Sequence, residues 1–184
     1  MGDHMDIITV LKEKAIESGL YECGDMAVDK IKFYPELRKA CEVNTCRKYD
    51  TKWTCPPGVG TLEECKARLI KFNTMLLFSK KIELEDEFDI EGMGKGVIEF
   101  KNTVLVFEES IQGLLGEHMF LTNEGCNRCE KCTYPDLPCR YPHKIHHSIS
   151  GYGLFVSELA KQTGIKYNNG PNTVTYLGAL LFNI

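Results

Sequence analysis

The chain has 184 residues, 43% of them hydrophobic, which predicts one globular domain, 1–184, with a core that needs no stapling by disulfides. Its 22 basic and 26 acidic side chains are interspersed and leave a formal charge of -4, so no broad basic face is available for nucleic acid or anionic lipid. No apolar run reaches the roughly 20 residues of a membrane span, and no basic-then-apolar leader opens the chain, so a soluble cytoplasmic protein is expected.

Met1-Gly2-Asp3-His4, ahead of a second methionine, reads as a vector remnant, and His4 is given no role. From Asp6 to Ser18 the apolar residues Ile7, Ile8, Val10, Leu11, Ala15 and Ile16 follow helical spacing, with Gly19 as a stop. Val28, Ile31 and Phe33 suggest a short strand before Pro35, followed by a cysteine-bearing loop. Thr61 with Glu64 three residues on has the capping-box form, predicting a helix lined by Leu62, Cys65, Leu69 and Ile70. Cys65 is thereby expected to be a packed thiol.

Asn73 to Leu84 reads as a strand covered on both faces, because Met75 to Phe78 form a continuous apolar run. A helix is expected over Lys95–Leu115 and a strand over His118–Leu121, and strand, helix and strand can make a right-handed crossover. The preceding Gly92-Met93-Gly94-Lys95-Gly96 has neither phosphate-loop nor dinucleotide spacing and reads as a flexible turn. Ser150 to Gln162 suits a helix and Thr173 to Phe182 a terminal strand. The fold class is therefore α/β, a single domain with a mixed sheet flanked by helices and cysteine-rich metal-binding loops at one end.

Nine cysteines in a chain read as intracellular point to metal binding or redox chemistry, and their odd number argues against a closed set of disulfides. Cys126-x2-Cys129-x2-Cys132, completed by Cys139, supplies four soft ligands. A cubane takes one thiolate on each iron, and this spacing lets one loop present three sulfurs while Cys139 closes the fourth corner. Pro135, Pro138 and Pro142 restrict the backbone around it. Four thiolates also make a closed zinc site, so zinc is the alternative.

Cys41-x4-Cys46-x8-Cys55 gathers three thiols in one irregular segment, either as buried thiols or as ligands to a second [4Fe-4S] cluster. With only three ligands one iron would stay open to a substrate; Cys65 or Cys23 could instead complete the set. Arg47, Lys48, Tyr49, Lys52 and Trp53 could recognise an anionic or aromatic ligand, or form a solvated rim. His143, His146 and His147 could ligate metal or move protons but read as a solvent-facing cluster, and Arg140 reads as a cation that tunes a neighbouring cluster.

Taken together, Cys41-x4-Cys46-x2-Tyr49, Trp53-Thr54-Cys55-Pro56-Pro57, Cys126-x2-Cys129-x2-Cys132 and Cys139-Arg140-Tyr-Pro142, extending through Ser148 and Tyr152-Gly153, resemble the cysteine-rich domain-of-unknown-function family of predicted metal-binding proteins from anaerobes. The resemblance implies metal binding by the matched cysteines in a single soluble domain, with a role in corrinoid-dependent methyl transfer or a related redox step. Where the family pattern has Arg-Pro-Ser-Met-Glu, this chain has His146-His147-Ser148-Ile149-Ser150.

The resulting expectation is an iron–sulfur redox protein of anaerobic metabolism that transfers electrons or performs a reductive step at an open cluster iron. It would work with a redox partner protein or a small-molecule substrate. The alternatives are a zinc-stabilised partner-binding module without redox activity, and an oxygen or redox sensor whose cluster loss changes partner binding.

Overall fold

The computed structural model describes residues 6–184; Met1 to Met5, with the tetrapeptide read as a vector remnant and His4, lie outside the described residues. Helix α1 spans Ile7–Glu17 and buries Leu11 and Ala15. Gly19 stops it with a φ of +95°, a left-handed conformation that glycine adopts at little cost. Strand β1 follows at Glu22–Ala27, ahead of the position suggested by the apolar residues. Pairing along β2, from Glu22 opposite Ser79 to Ala27 opposite Thr74, outweighs the poor strand propensity of this segment. Val28–Lys30 is one 3-10 turn, from which Val28 and Ile31 still enter the core.

The segment after Pro35 is helical where a loop was expected: α2 spans Pro35–Glu42, with Pro35 in its first turn, and carries Cys41 near its end. Helix α3, Leu62–Leu69, begins as predicted. Thr61 Oγ1 accepts from the Glu64 N–H at 3.1 Å, and Glu64 Oε2 accepts from the Thr61 N–H at 2.7 Å. Strand β2 is Thr74–Glu83, and α4 runs from Ile90 to Ser110, so it starts earlier than the apolar pattern indicated.

The glycine-rich stretch 92–96 is therefore helix and not a flexible turn. Asp89 caps it by accepting from the Gly92 N–H at 2.7 Å. Gly96 lets α4 approach the sheet, since a Cβ there would stand 3.0 Å from Ile82 Cγ2 and 3.2 Å from the Tyr176 ring. Strands β3, Met119–Thr122, and β4, His146–Ser148, are followed by helix α5, Val156–Thr163, and strand β5, Thr173–Phe182. The helix expected from Ser150 is interrupted: Ser150–Tyr152 is a 3-10 turn, and Gly153, at φ +68°, ends it before α5.

The five strands lie in the order β1-β2-β5-β3-β4, antiparallel except for the parallel β3–β4 pair. Strands β2 and β3 are parallel to each other, as a crossover through α4 requires, but β5 lies between them and pairs with both. Period-2 alternation then divides the apolar residues between two faces. Met75, Leu77, Leu177, Ala179 and Leu181 meet α3 and α5, whereas Leu76, Phe78, Leu180 and Phe182 meet α1 and α4. Burial of each such Leu, Met or Phe side chain stabilises the fold by about 1.5–3 kcal/mol, which explains why β2 and β5 read as continuous apolar runs.

The architecture is thus an α/β fold with a five-stranded mixed sheet and, among the described residues, five α-helices. None of these helices is long and apolar enough to cross a membrane. The site is built around the β3–β4 edge. Ser148 of β4 donates its N–H to Thr54 O at 3.0 Å, so the 52–56 segment covers a strand that would otherwise present open backbone groups.

Candidate metal centre

Cys126, Cys129, Cys132 and Cys139 line one small cavity of about 60 Å³, together with Lys52, Thr54 and Arg128. The loop that carries them leaves the end of β3 and returns to Ile145, just before β4. Backbone amides already face two of its sulfurs: the Arg128 N–H donates to Cys126 Sγ at 3.5 Å and the Tyr141 N–H to Cys139 Sγ at 3.4 Å. Amide donors of this kind orient ligand sulfurs and, in iron–sulfur sites, tune the group they hold. The connection to Cys139 is closed by the Leu137 N–H on Thr133 O at 3.0 Å and by Thr133 Oγ1 on Pro138 O at 2.9 Å.

Contacts from the 50–54 segment hold this loop in place. Lys52 Nζ donates to Cys126 O at 2.9 Å, Trp53 Nε1 to Leu137 O at 3.1 Å, and Tyr134 Oη to Asp50 Oδ1 at 2.6 Å. Trp53 and Tyr134 also meet edge to face, 4.9 Å between centroids. Arg140, expected to tune the centre, is exposed and donates to Lys131 O at 3.0 Å. The cations that border the cavity are instead Lys52 and Arg128.

Arg128 belongs to a group that sequence reasoning did not anticipate. It pairs with Glu108 of α4, donates through Nε to Lys144 O at 2.5 Å, and stands 3.2 Å from His146 Nε2. His146 Nε2 lies 3.2 Å from Glu108. Burial raises the Glu108 carboxyl, but the contact with His146 and the charge of Arg128 outweigh it and hold the group below the usual carboxylate range. The only hint in the sequence was Glu108's position on an amphipathic helix, and nothing local joins it to a loop that follows β3.

Cys41, Cys46 and Cys55 line a different cavity, of about 460 Å³, bordered also by Lys48, Tyr49, Glu124 and Ser148. Cys55 is buried, and burial pushes its thiol up to about 11, against the weaker pull of Thr54 and Lys52; burial likewise raises Cys41. Cys46 is exposed on the loop after α2. Binding of a metal at such thiols would release protons. Among the described residues, no group of three or more His, Cys, Asp or Glu side chains is arranged to hold a single metal ion.

The two cavities are separated by a thin wall. Thr54 borders one and Cys55 the other; Cys126 borders the first and Glu124 the second. The Cys126 N–H lies 3.4 Å from Thr54 Oγ1, and Cys55 Sγ lies 3.9 Å from Glu124 O. Beneath the wall, the buried Lys101 of α4 faces Glu124 at 3.6 Å; burial lowers its ammonium, and Glu124 partly restores it.

Cys65 is fully buried in the core, consistent with a packed thiol; Arg68 Nη2 donates toward its sulfur at 3.3 Å. Cys23 lies on β1 opposite Phe78, and burial pushes its thiol up to about 12. Neither borders the two cavities. His146 and His147 depart from the solvent-facing expectation: both are buried in β4, where pairing with Phe120 and Leu121 draws them into the sheet, while His143 stays exposed. Burial, with the charge of Arg68 and of His146, lowers His147 to about 3.

A mixed α/β sheet with thiol-lined cavities along one edge defines a cysteine-rich α/β protein. The chain belongs to the family described as predicted metal-binding protein (DUF2284), whose model matches residues 25–182. No curated protein matches the sequence. Among solved structures, epoxyqueuosine reductase from Streptococcus thermophilus aligns over 98% of this chain and 46% of that one, at 15% identity and a TM-score of 0.48. The chain thus spans about half the length of that protein.

Proposed function

We propose that this protein is an iron–sulfur redox protein, with Cys126, Cys129, Cys132 and Cys139 holding one [4Fe-4S] cluster and Cys41, Cys46 and Cys55 holding a second. The supporting observation is that each cysteine group lines its own cavity, on opposite sides of the wall made by Thr54–Cys55 and Glu124–Cys126. The donor set suits the group: four thiols in one loop with amide N–H groups on two sulfurs, and three thiols in the other cavity, one short of a full set. When bound, the first cluster supplies one-electron transfer, and an iron without a protein thiol in the second supplies a Lewis-acidic binding position.

The residues around these thiols divide the work. Lys52 and Arg128 place positive charge beside the four-thiol cavity and thereby favour an added electron. The larger cavity falls in the range of small-molecule sites, and Lys48, Tyr49, Glu124 and Ser148 provide polar groups to orient a substrate next to Cys41, Cys46 and Cys55. The outer rim of the first loop exposes Leu137 and Tyr141, a surface suited to a redox partner protein.

The test is iron, acid-labile sulfide and zinc content, with electron paramagnetic resonance, on protein purified without oxygen. Two cubanes are expected, one lost in Cys126→Ala and the other in Cys41→Ala. Zinc in place of iron and sulfide would overturn the redox reading in favour of a zinc-stabilised binding module.

A further inference from the structure

All four histidines among the described residues border one cavity of about 440 Å³ whose lining contains no cysteine. Its lining also contains Arg68, Lys71 and Lys144. Among the described residues none of these three cations takes part in an ion pair, although the chain as a whole is acidic. Glu108, which also borders the cavity, is engaged by Arg128; Glu117 borders it too and pairs with none of the three. Three cations without an ion-pair partner facing one concavity give it a local positive potential that attracts an anion.

Arg68 is held in place from behind. Its Nη2 donates to Val59 O, and the guanidinium lies 5.3 Å over the Tyr152 ring. Its Nε is enclosed without a partner, as is His147 Nδ1. A guanidinium fixed by one nitrogen, with other donors unspent, is preorganised for a planar or tetrahedral oxyanion.

A neighbouring cavity of about 660 Å³ shares Arg68, Pro142, Ile145 and His147 with the first. It extends along Trp53, Leu137 and Pro138 to Cys139, so a cationic end and an apolar end meet at Arg68. We infer that this groove binds an organic phosphate monoester with an aromatic body. Its phosphate would rest on Arg68, Lys71 and Lys144, and its ring on Trp53 and Leu137. This goes beyond the redox reading, because the recognition residues are not thiols and binding is measurable whatever metal the protein holds.

Calorimetric titration of the anaerobically purified protein with phenyl phosphate, inorganic phosphate and phenol tests it. Saturable binding of phenyl phosphate is expected, weaker binding of inorganic phosphate, and none of phenol. Lys71→Glu and Lys144→Glu, both at exposed positions, should each weaken phenyl phosphate at least tenfold, and Leu137→Ala severalfold, with metal content unchanged. Absence of saturable binding, equal binding of phenol, or unaltered affinity in both charge-reversal variants would overturn the inference. Loss of iron from the wild-type preparation would count against the redox reading alone.

Discussion

The backbone N–H of Cys126 points at Thr54 Oγ1, 3.4 Å away, and this contact joins the four-thiol loop to the segment that carries Cys55. The intervening Gly125 has a φ of +67°, and a Cβ there would stand 2.5 Å from Thr54 Oγ1. Neither backbone can retreat, because Thr54 is anchored by Ser148 of β4 and the Gly125 N–H by Thr122 O.

Gly125→Ala should therefore be severe. A left-handed residue with a Cβ and a clash against Thr54 together cost about 1–3 kcal/mol or more. Urea unfolding is expected to show a lower midpoint, and metal analysis a loss at the Cys126 site. A variant with wild-type midpoint and metal content would mean that the wall is not rigid.

Lys101→Met removes the ammonium that faces Glu124 beneath the wall. Lys101 is 6% exposed while Glu124 keeps partial access to water, so the carboxylate left behind is not fully stranded. A loss of about 1–3 kcal/mol is expected from unfolding curves. Lys101→Met with Glu124→Gln should recover part of it, and failure to recover any would argue that the ammonium acts elsewhere.

Acid should destabilise the fold through His147. Its folded value of about 3 lies below the ordinary 6.5, so the unfolded chain binds the extra proton first as pH falls. The stability is fully present above about pH 6.5 and is lost as pH falls toward 3, by up to about 1.4 kcal/mol per pH unit. His146 is shifted in the same direction by burial, opposed by Glu108. His147→Phe should flatten the dependence of the urea midpoint between pH 7 and 4.5; an unchanged slope would assign the effect to other groups.

Cys65→Ala and Cys23→Ala separate packed thiols from ligands. Both sit outside the two cavities, Cys65 against α3's neighbours and Cys23 against the α1–α4 face. Each is expected to lower stability by about 1 kcal/mol while leaving metal content unchanged. Loss of metal in either variant would enlarge the ligand set.

Much of the fold was legible in the sequence. The alternation hidden in the apolar runs of β2 and β5, and the Thr61–Glu64 box, are local signals whose physics acts within a few residues, and all three elements stand where they were expected. Where local signals were weak they failed. Segment 22–27 becomes a strand only because β2 offers it hydrogen bonds, and 92–96 becomes helix because Asp89 caps it and α4 packs on the sheet.

The site divides in the same way. Position along the chain set Cys126–Cys139 apart from Cys41, Cys46, Cys55 and Cys65, with Cys23 alone, and the helical pattern after Thr61 then removed Cys65 as a packed thiol. Tertiary structure decided what no spacing encodes. It placed Thr54 between the two groups, brought Glu108 from α4 to Arg128, buried His146 and His147 in β4, and gathered Arg68, Lys71 and Lys144 at one groove. Each of those relationships joins distant segments through sheet pairing or core burial, and its energy exists only once the chain has folded.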